Sequence, residues 1–194
     1  MKKLGLLMLL MAIAMMLGGT ALAQGDNSYY FTTYFSNANT ANAPDATLRV
    51  INDGYTGANL YAEIYVLDDS EELTECCSCV VTPDGLLSES VNKNLTANPL
   101  TGLKPTRGVI KVFSSPDDNP FDLETPNENE PTAGLRAWAT HVQKLTSGFA
   151  VTETLLADSN DPTDIEEDLL GALCYYSRQL SGKPCTCTPE DQDF

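Results

Sequence analysis

The chemistry available to this chain is concentrated in its cysteines. The six of them form two triplets, Cys76, Cys77 and Cys79 in the middle and Cys174, Cys185 and Cys187 near the end. In an oxidising compartment an even set of this kind pairs into disulfides. If residues 75–81 are extended, side chains alternate, so Cys77 and Cys79 share one face and Cys76 points to the other. Cys185 and Cys187 share a face by the same rule. A bridge between neighbours within one extended strand strains the bond, so the central triplet is expected to pair with the terminal one. Each such bridge closes a loop of about 100 residues, worth up to ~4–5 kcal/mol in the chain-entropy model. Two other readings of the same residues stand beside this one. Cys77-x-Cys79 and Cys185-x-Cys187 offer four thiolates, enough for a tetrahedral zinc ion, although ligand spacing in zinc sites is usually about two to four residues. Cys76 and Cys79 have the C-x-x-C spacing of thiol–disulfide exchange. However, Val80, Val81, Thr82 and Pro83 continue as strand and turn, where a thiol-activating helix would be needed.

Beyond the cysteines, Trp138 and His141 are candidate ligand contacts, each the single residue of its type. His141 is the one imidazole available as a general base, yet a triad needs a nucleophile and an acid beside it, and no G-x-S-x-G elbow is present. It reads first as a structural or solvent-facing histidine. Trp138, in a predicted strand, reads first as core and otherwise as a platform for stacking a sugar ring. H-E-x-x-H, P-loop and G-x-G-x-x-G patterns are all absent, so no cofactor is expected. Two oxygen-rich clusters, Asp117-Asp118-Asn119 with Asp122 and Asp158 to Asp164, could hold calcium, but neither has the EF-hand spacing. They read first as a solvated loop and an acidic helix start.

The termini and the charge say where such chemistry would operate. Lys2 and Lys3, the apolar run from Leu4 to Leu17, and Ala21-Leu22-Ala23 make the three parts of a secretory signal peptide. The run is too short to span a hydrocarbon core of ~30 Å. Residues 1–23 are therefore expected to be removed, leaving residues 24–194 as a single secreted domain, periplasmic or extracellular. The chain carries 11 Lys and Arg against 27 Asp and Glu, a net charge of −16. Such a surface excludes a nucleic-acid partner, which needs a basic face, and opposes docking on anionic lipid. No later segment approaches a membrane span.

Those residues must be positioned by strands. Strands are predicted at 29–36, 46–52, 60–66, 75–82, 87–91, 108–113, 134–143 and 148–157, from alternation and from β-branched and aromatic content. Leu60, Ala62, Ile64 and Val66 make the clearest apolar face, and Pro83-Asp84-Gly85 the clearest turn. Residues 163–180 read as the one helix, opened by a capping box at Thr163 and Glu166 and closed by Gly182 and Pro184. Its predicted buried stripe is Ile165, Leu169, Leu170, Leu173 and Tyr176. The sum is a mainly β chain: an antiparallel β-sandwich, immunoglobulin-like or jelly-roll-like, with one C-terminal helix stapled by disulfides. The aromatic strand 29–36 could be an edge that pairs with another copy of the chain.

Several blocks carry a resemblance. LRVINDG from Leu48 to Gly54, IYVLD from Ile64 to Asp68, ECCSCVVTPDG from Glu75 to Gly85 and GLRAWATH from Gly134 to His141 resemble a group of uncharacterised exported proteins of soil bacteria. The helix bearing Cys174 and the Cys185-x-Cys187 pair after it are similar too. The resemblance implies secretion and a common scaffold, and brings no activity or site with it. On these grounds the chain is expected to be a non-enzymatic structural or interaction protein of the envelope or extracellular space. A carbohydrate- or calcium-dependent binding module is the first alternative, and a hydrolase or thiol–disulfide enzyme the second.

Overall fold

In the computed structural model, the described residues are 29–116, 131–159 and 164–181, with Cys185 and Cys187. The expected signal peptide, the Asp117–Asp122 cluster, Asn160, Asp161, Thr163, Gly182 and Pro184 lie outside them. Among the described residues eight strands form two antiparallel sheets: β1 (Tyr30–Ser36), β6 (Arg107–Ser115), β3 (Leu60–Asp68) and β4 (Leu73–Val81) in one, and β5 (Leu86–Ser90), β2 (Thr47–Asn52), β7 (Leu135–Lys144) and β8 (Phe149–Leu155) in the other. A helix, α1 (Asp164–Ser181), follows. The expected sandwich with a C-terminal helix is what forms, its sheets open at the edges. A short π-helical turn, Val91–Leu95, was not anticipated.

Alternation decides which side chains fill the space between the sheets. Leu60, Ala62, Ile64 and Val66 of β3 face Leu48 and Val50 of β2, all of them at 0–1% exposure. Phe31 and Phe35 of β1, Ile110 and Val112 of β6, Leu87 of β5 and Leu135 and Ala137 of β7 belong to the same core. Burying each large apolar side chain contributes about 1.5–3 kcal/mol. On the far side of the first sheet a second cluster forms from Tyr30, Tyr65, Cys76, Phe113, Leu170 and Cys174, and this is where α1 sits.

The connections are fixed by specific polar groups. Asn52 is fully buried, and its amide donates to Ala58 O at 2.9 Å and Val81 O at 3.0 Å. Its Oδ1 accepts from Gly54 N, so the β2–β3 loop is tied to the end of β4. The turn from Thr82 to Gly85 moves the chain from the first sheet to the second, closed by Gly85 N donating to Thr82 O, with Asp84 in the left-handed region. Gly108 is required for a different reason, since a Cβ there would meet the Leu67 carbonyl and the Phe35 ring.

The helix stripe needs correcting. Leu170, Cys174 and Ser177 face the sheet, while Leu169, Leu173 and Tyr176 are exposed at 55%, 39% and 58%. The bond from Cys174 to β4 fixes the rotation of the helix, so the residues one step earlier stand about 100° around it.

Candidate functional site

The cysteines form three disulfides, each joining the central triplet to the terminal one. Strand alternation on β4 sets which partner each can reach. Cys76 points outward, opposite Tyr65, and bonds Cys174 of α1 across a Cα separation of 5.8 Å. Cys77 and Cys79 point inward and bond Cys185 and Cys187 at 5.1 and 5.6 Å. β4 is an edge strand, with Cys174 of α1 bonded on its outer face and Cys185 and Cys187 bonded on its inner face. The two terminal cysteines pack, half-buried, against the main core.

Two glutamates accompany the inner pairs. Glu75, on the inner face of β4, is 4% exposed, and Glu89, on the inner face of β5, is 0% exposed. A carboxylate oxygen of Glu75 and the sulfurs of Cys77 and Cys185 all lie within 4.8 Å of one another, and Glu89 stands in the same relation to Cys79 and Cys187. Glu75 accepts from the Cys76 N–H at 3.2 Å. Burial pushes its pKa from the ordinary 4.5 up to about 7, against the opposing pull of that N–H and of Arg178. Glu89 Oε1 lies 3.9 Å from Cys79 Sγ, and its Oε2 accepts from Asn94 Nδ2. Sequence reasoning missed both. The signal was present, because the period of two that groups Cys77 with Cys79 puts Glu75 on the same face, but a glutamate reads by default as solvated.

On the outer face, Glu63 is 1% exposed and accepts from Ser78 Oγ at 2.7 Å. It lines a cavity of about 30 Å³ with Tyr65, Phe113, Ser115 and Glu167, room for a single water and no substrate. Burial raises the Tyr65 hydroxyl well above its ordinary value, and the nearby charges of Glu63 and Glu167 add to that.

The remaining candidates are scattered. His141 is 6% exposed and stacks on Tyr34, with ring centroids 4.3 Å apart, and its Nδ1 has no hydrogen-bond partner. It packs as a structural side chain. Trp138 stands half-buried on the outer face of the second sheet, opposite Arg49 on one side and Leu155 on the other. Arg49 is paired with Glu153, and Leu155 is 56% exposed. Trp138 and His141 thus point to different surroundings and make no common site. The outer edge of β1 is partly taken, since Asp158 bridges Phe31 and Ser159 N donates to Tyr30 O at 2.9 Å. Of the aspartates in the candidate calcium clusters only Asp158 and Asp164, the first residue of α1, are among the described residues.

The feature the sequence pattern hid is the free side of α1. Leu169, Leu173, Tyr176 and Leu180, the last 77% exposed, recur at intervals of four, three and four residues. That spacing makes an apolar seam along the helix of the kind that pairs with another helix. Beside its later turns Ala172 and Gln179 carry no charge, while Asp168 and the Lys111-paired Glu166 flank its start. No described helix is long and apolar enough to cross a membrane.

No protein-family model matches the chain, and no curated protein matches it either. Among solved structures it is similar to one titled "Crystal Structure of Thermotoga maritima 1070", at 13% identity and a TM-score of 0.43, over 72% of this chain and 99% of that one. A likeness at that distance carries no argument about function.

Proposed function

We propose that this chain is a secreted, non-enzymatic interaction protein of the bacterial envelope or extracellular space, and that it associates with a second copy of itself through α1. The exposed seam of Leu169, Leu173, Tyr176 and Leu180 carries this reading. Large apolar side chains at helix-pairing intervals on an open surface mark a contact face more often than a solvated one. Beside the later turns of the seam Ala172 and Gln179 carry no charge, and Glu166 is paired with Lys111, which lowers the local repulsion between two copies despite a net charge of −16. Three disulfides support an oxidising compartment, and the signal-peptide pattern and the blocks similar to exported soil-bacterial proteins agree with it. Light scattering of the purified protein during gel filtration tests the reading. A dimer that grows with salt is expected, because screening weakens the long-range repulsion, and Leu173→Glu with Leu180→Glu should leave a monomer. A wild-type monomer at every salt concentration refutes it.

A second reading rests on Trp138. Its partly open position between Arg49 and Leu155 suits stacking of a sugar ring, and with one tryptophan in the chain its fluorescence reports any such binding directly. Unchanged emission across a panel of bacterial and plant polysaccharides removes this reading.

A further inference from the structure

Glu75 and Glu89 are buried carboxyls on inner faces of the sandwich, Glu75 accepting from the Cys76 N–H and Glu89 from Asn94 Nδ2. An inward position in a sandwich is normally apolar, and a buried carboxyl costs several kcal/mol unless something compensates it. Here two such positions are occupied by glutamate, on strands of different sheets, and each glutamate stands beside a different pair of sulfurs. The third pair supplies a comparison within the same molecule. Cys76 and Cys174 lie among Tyr30, Tyr65, Phe113 and Leu170, and among the described residues no carboxylate joins them within the 4.8 Å that groups the other two sets.

We propose that, when the two inner disulfides are reduced, Cys77, Cys185 and Glu75 form one binding site for a zinc-class divalent ion, and Cys79, Cys187 and Glu89 form a second. Two thiolates and a carboxylate are a donor set suited to a borderline-soft cation, and three protein ligands leave a fourth tetrahedral position for water or another ligand. With metal–sulfur bonds of ~2.3 Å, the sulfurs in such a site stand roughly 3.7 Å apart, against ~2.05 Å in a disulfide. The required parting of under ~2 Å falls on Cys185 and Cys187, which are half-buried and reach the core from beyond α1. Cys77 and Cys79 stay fixed by the β3–β4 ladder.

The chemistry balances as follows. A dithiol reductant gives up two electrons and two protons per disulfide and becomes a disulfide itself, leaving two protein thiols. The metal then displaces two protons and takes the thiolate pair with the carboxylate. Oxidised and metal-bound forms use the same sulfurs and exclude each other. The terminal cysteines are thus held to the sandwich by covalent bonds under oxidising conditions and by metal under reducing ones. This goes beyond the interaction role above and does not depend on it.

The test uses the whole purified protein, reduced under argon and titrated with cobalt(II), whose spectrum reports thiolate ligation and tetrahedral geometry. Two ions per chain with thiolate-to-metal charge transfer are expected, along with the strand circular dichroism of the oxidised protein. Glu75→Gln and Glu89→Gln should each weaken one site by roughly tenfold or more and leave the other unchanged. The Cys76→Ser and Cys174→Ser variant should still bind two ions. Absence of thiolate bands in the reduced protein overturns the proposal. A single four-sulfur ion, binding unaffected by either glutamine, or cobalt bound only by an unfolded chain would also overturn it.

Discussion

Glu75 makes the stability of this protein depend on pH in a way that one substitution isolates. Its carboxyl titrates near 7 in the folded chain against an ordinary 4.5, chiefly because it is buried. Below pH 4.5 both folded and unfolded chains hold the proton, and Glu75 contributes no pH dependence. Between 4.5 and 7 the unfolded chain releases it and the folded chain keeps it, so stability falls as pH rises. Above 7 both forms are ionised, and the folded state carries the full penalty of a charge in the core. At 1.36 kcal/mol per pKa unit the penalty is about 3 kcal/mol, a large part of the ~5–15 kcal/mol that stabilises a typical domain.

Glu75→Gln keeps the shape and the uncharged state but cannot ionise. Urea unfolding of the disulfide-intact protein, repeated from pH 4 to 8.5, measures the difference between wild type and variant, in which the other titrating groups largely cancel. The two proteins should be nearly equal at pH 4.5, and the variant should gain through pH 5–7 and reach a plateau about 3 kcal/mol above wild type. A difference that stays constant with pH refutes the reasoning, as does a variant less stable than wild type at pH 8.

Three further outcomes follow from the packing. Replacing Cys76 and Cys174 by Ser removes a bridge that, with Cys77–Cys185 intact, closes only the short ring through residues 76–77 and 174–185, for which the chain-entropy model gives about 3 kcal/mol; hydrogen exchange should show α1 losing protection before the sheets do. Gly108→Ala drives a methyl into the Leu67 carbonyl and the Phe35 ring, and should cost roughly 1–3 kcal/mol or more in a urea melt. Leu173→Glu with Leu180→Glu should abolish association in sedimentation, while changing monomer stability by only about ±0.5 kcal/mol per site, as exposed positions do.

The strands were legible because their signals are local. Leu60 to Val66 alternates cleanly and Pro83-Asp84-Gly85 turns by its own chemistry, so the observed elements begin and end within a few residues of the expected ones. The pairing of cysteine triplets was legible for the same reason, since the period of two on β4 sorts Cys76 from Cys77 and Cys79 without knowledge of the fold. Which face of α1 would be buried was not legible. The helix carries more apolar surface than the sheet covers, and only the Cys76–Cys174 bond, a contact across 98 residues, decides that Leu170 turns in while Leu169 and Leu173 turn out. Alternation put Glu75 on the side of Cys77 and Cys79, but it could not show that Glu75 and Glu89 are buried. That follows from the closure of one sheet over the other, where a position's side is fixed by alternation but its solvation by what lies opposite.

The most direct test of the account is native mass spectrometry of the protein recovered from outside the cytoplasm, recorded before and after reduction. The account predicts a chain beginning at Gln24, lighter than its reduced form by the six hydrogens of three disulfides, together with a dimer peak that the Leu173→Glu and Leu180→Glu variant lacks. A chain found only inside the cell with free thiols, or an exported chain that is monomeric at every concentration, contradicts it.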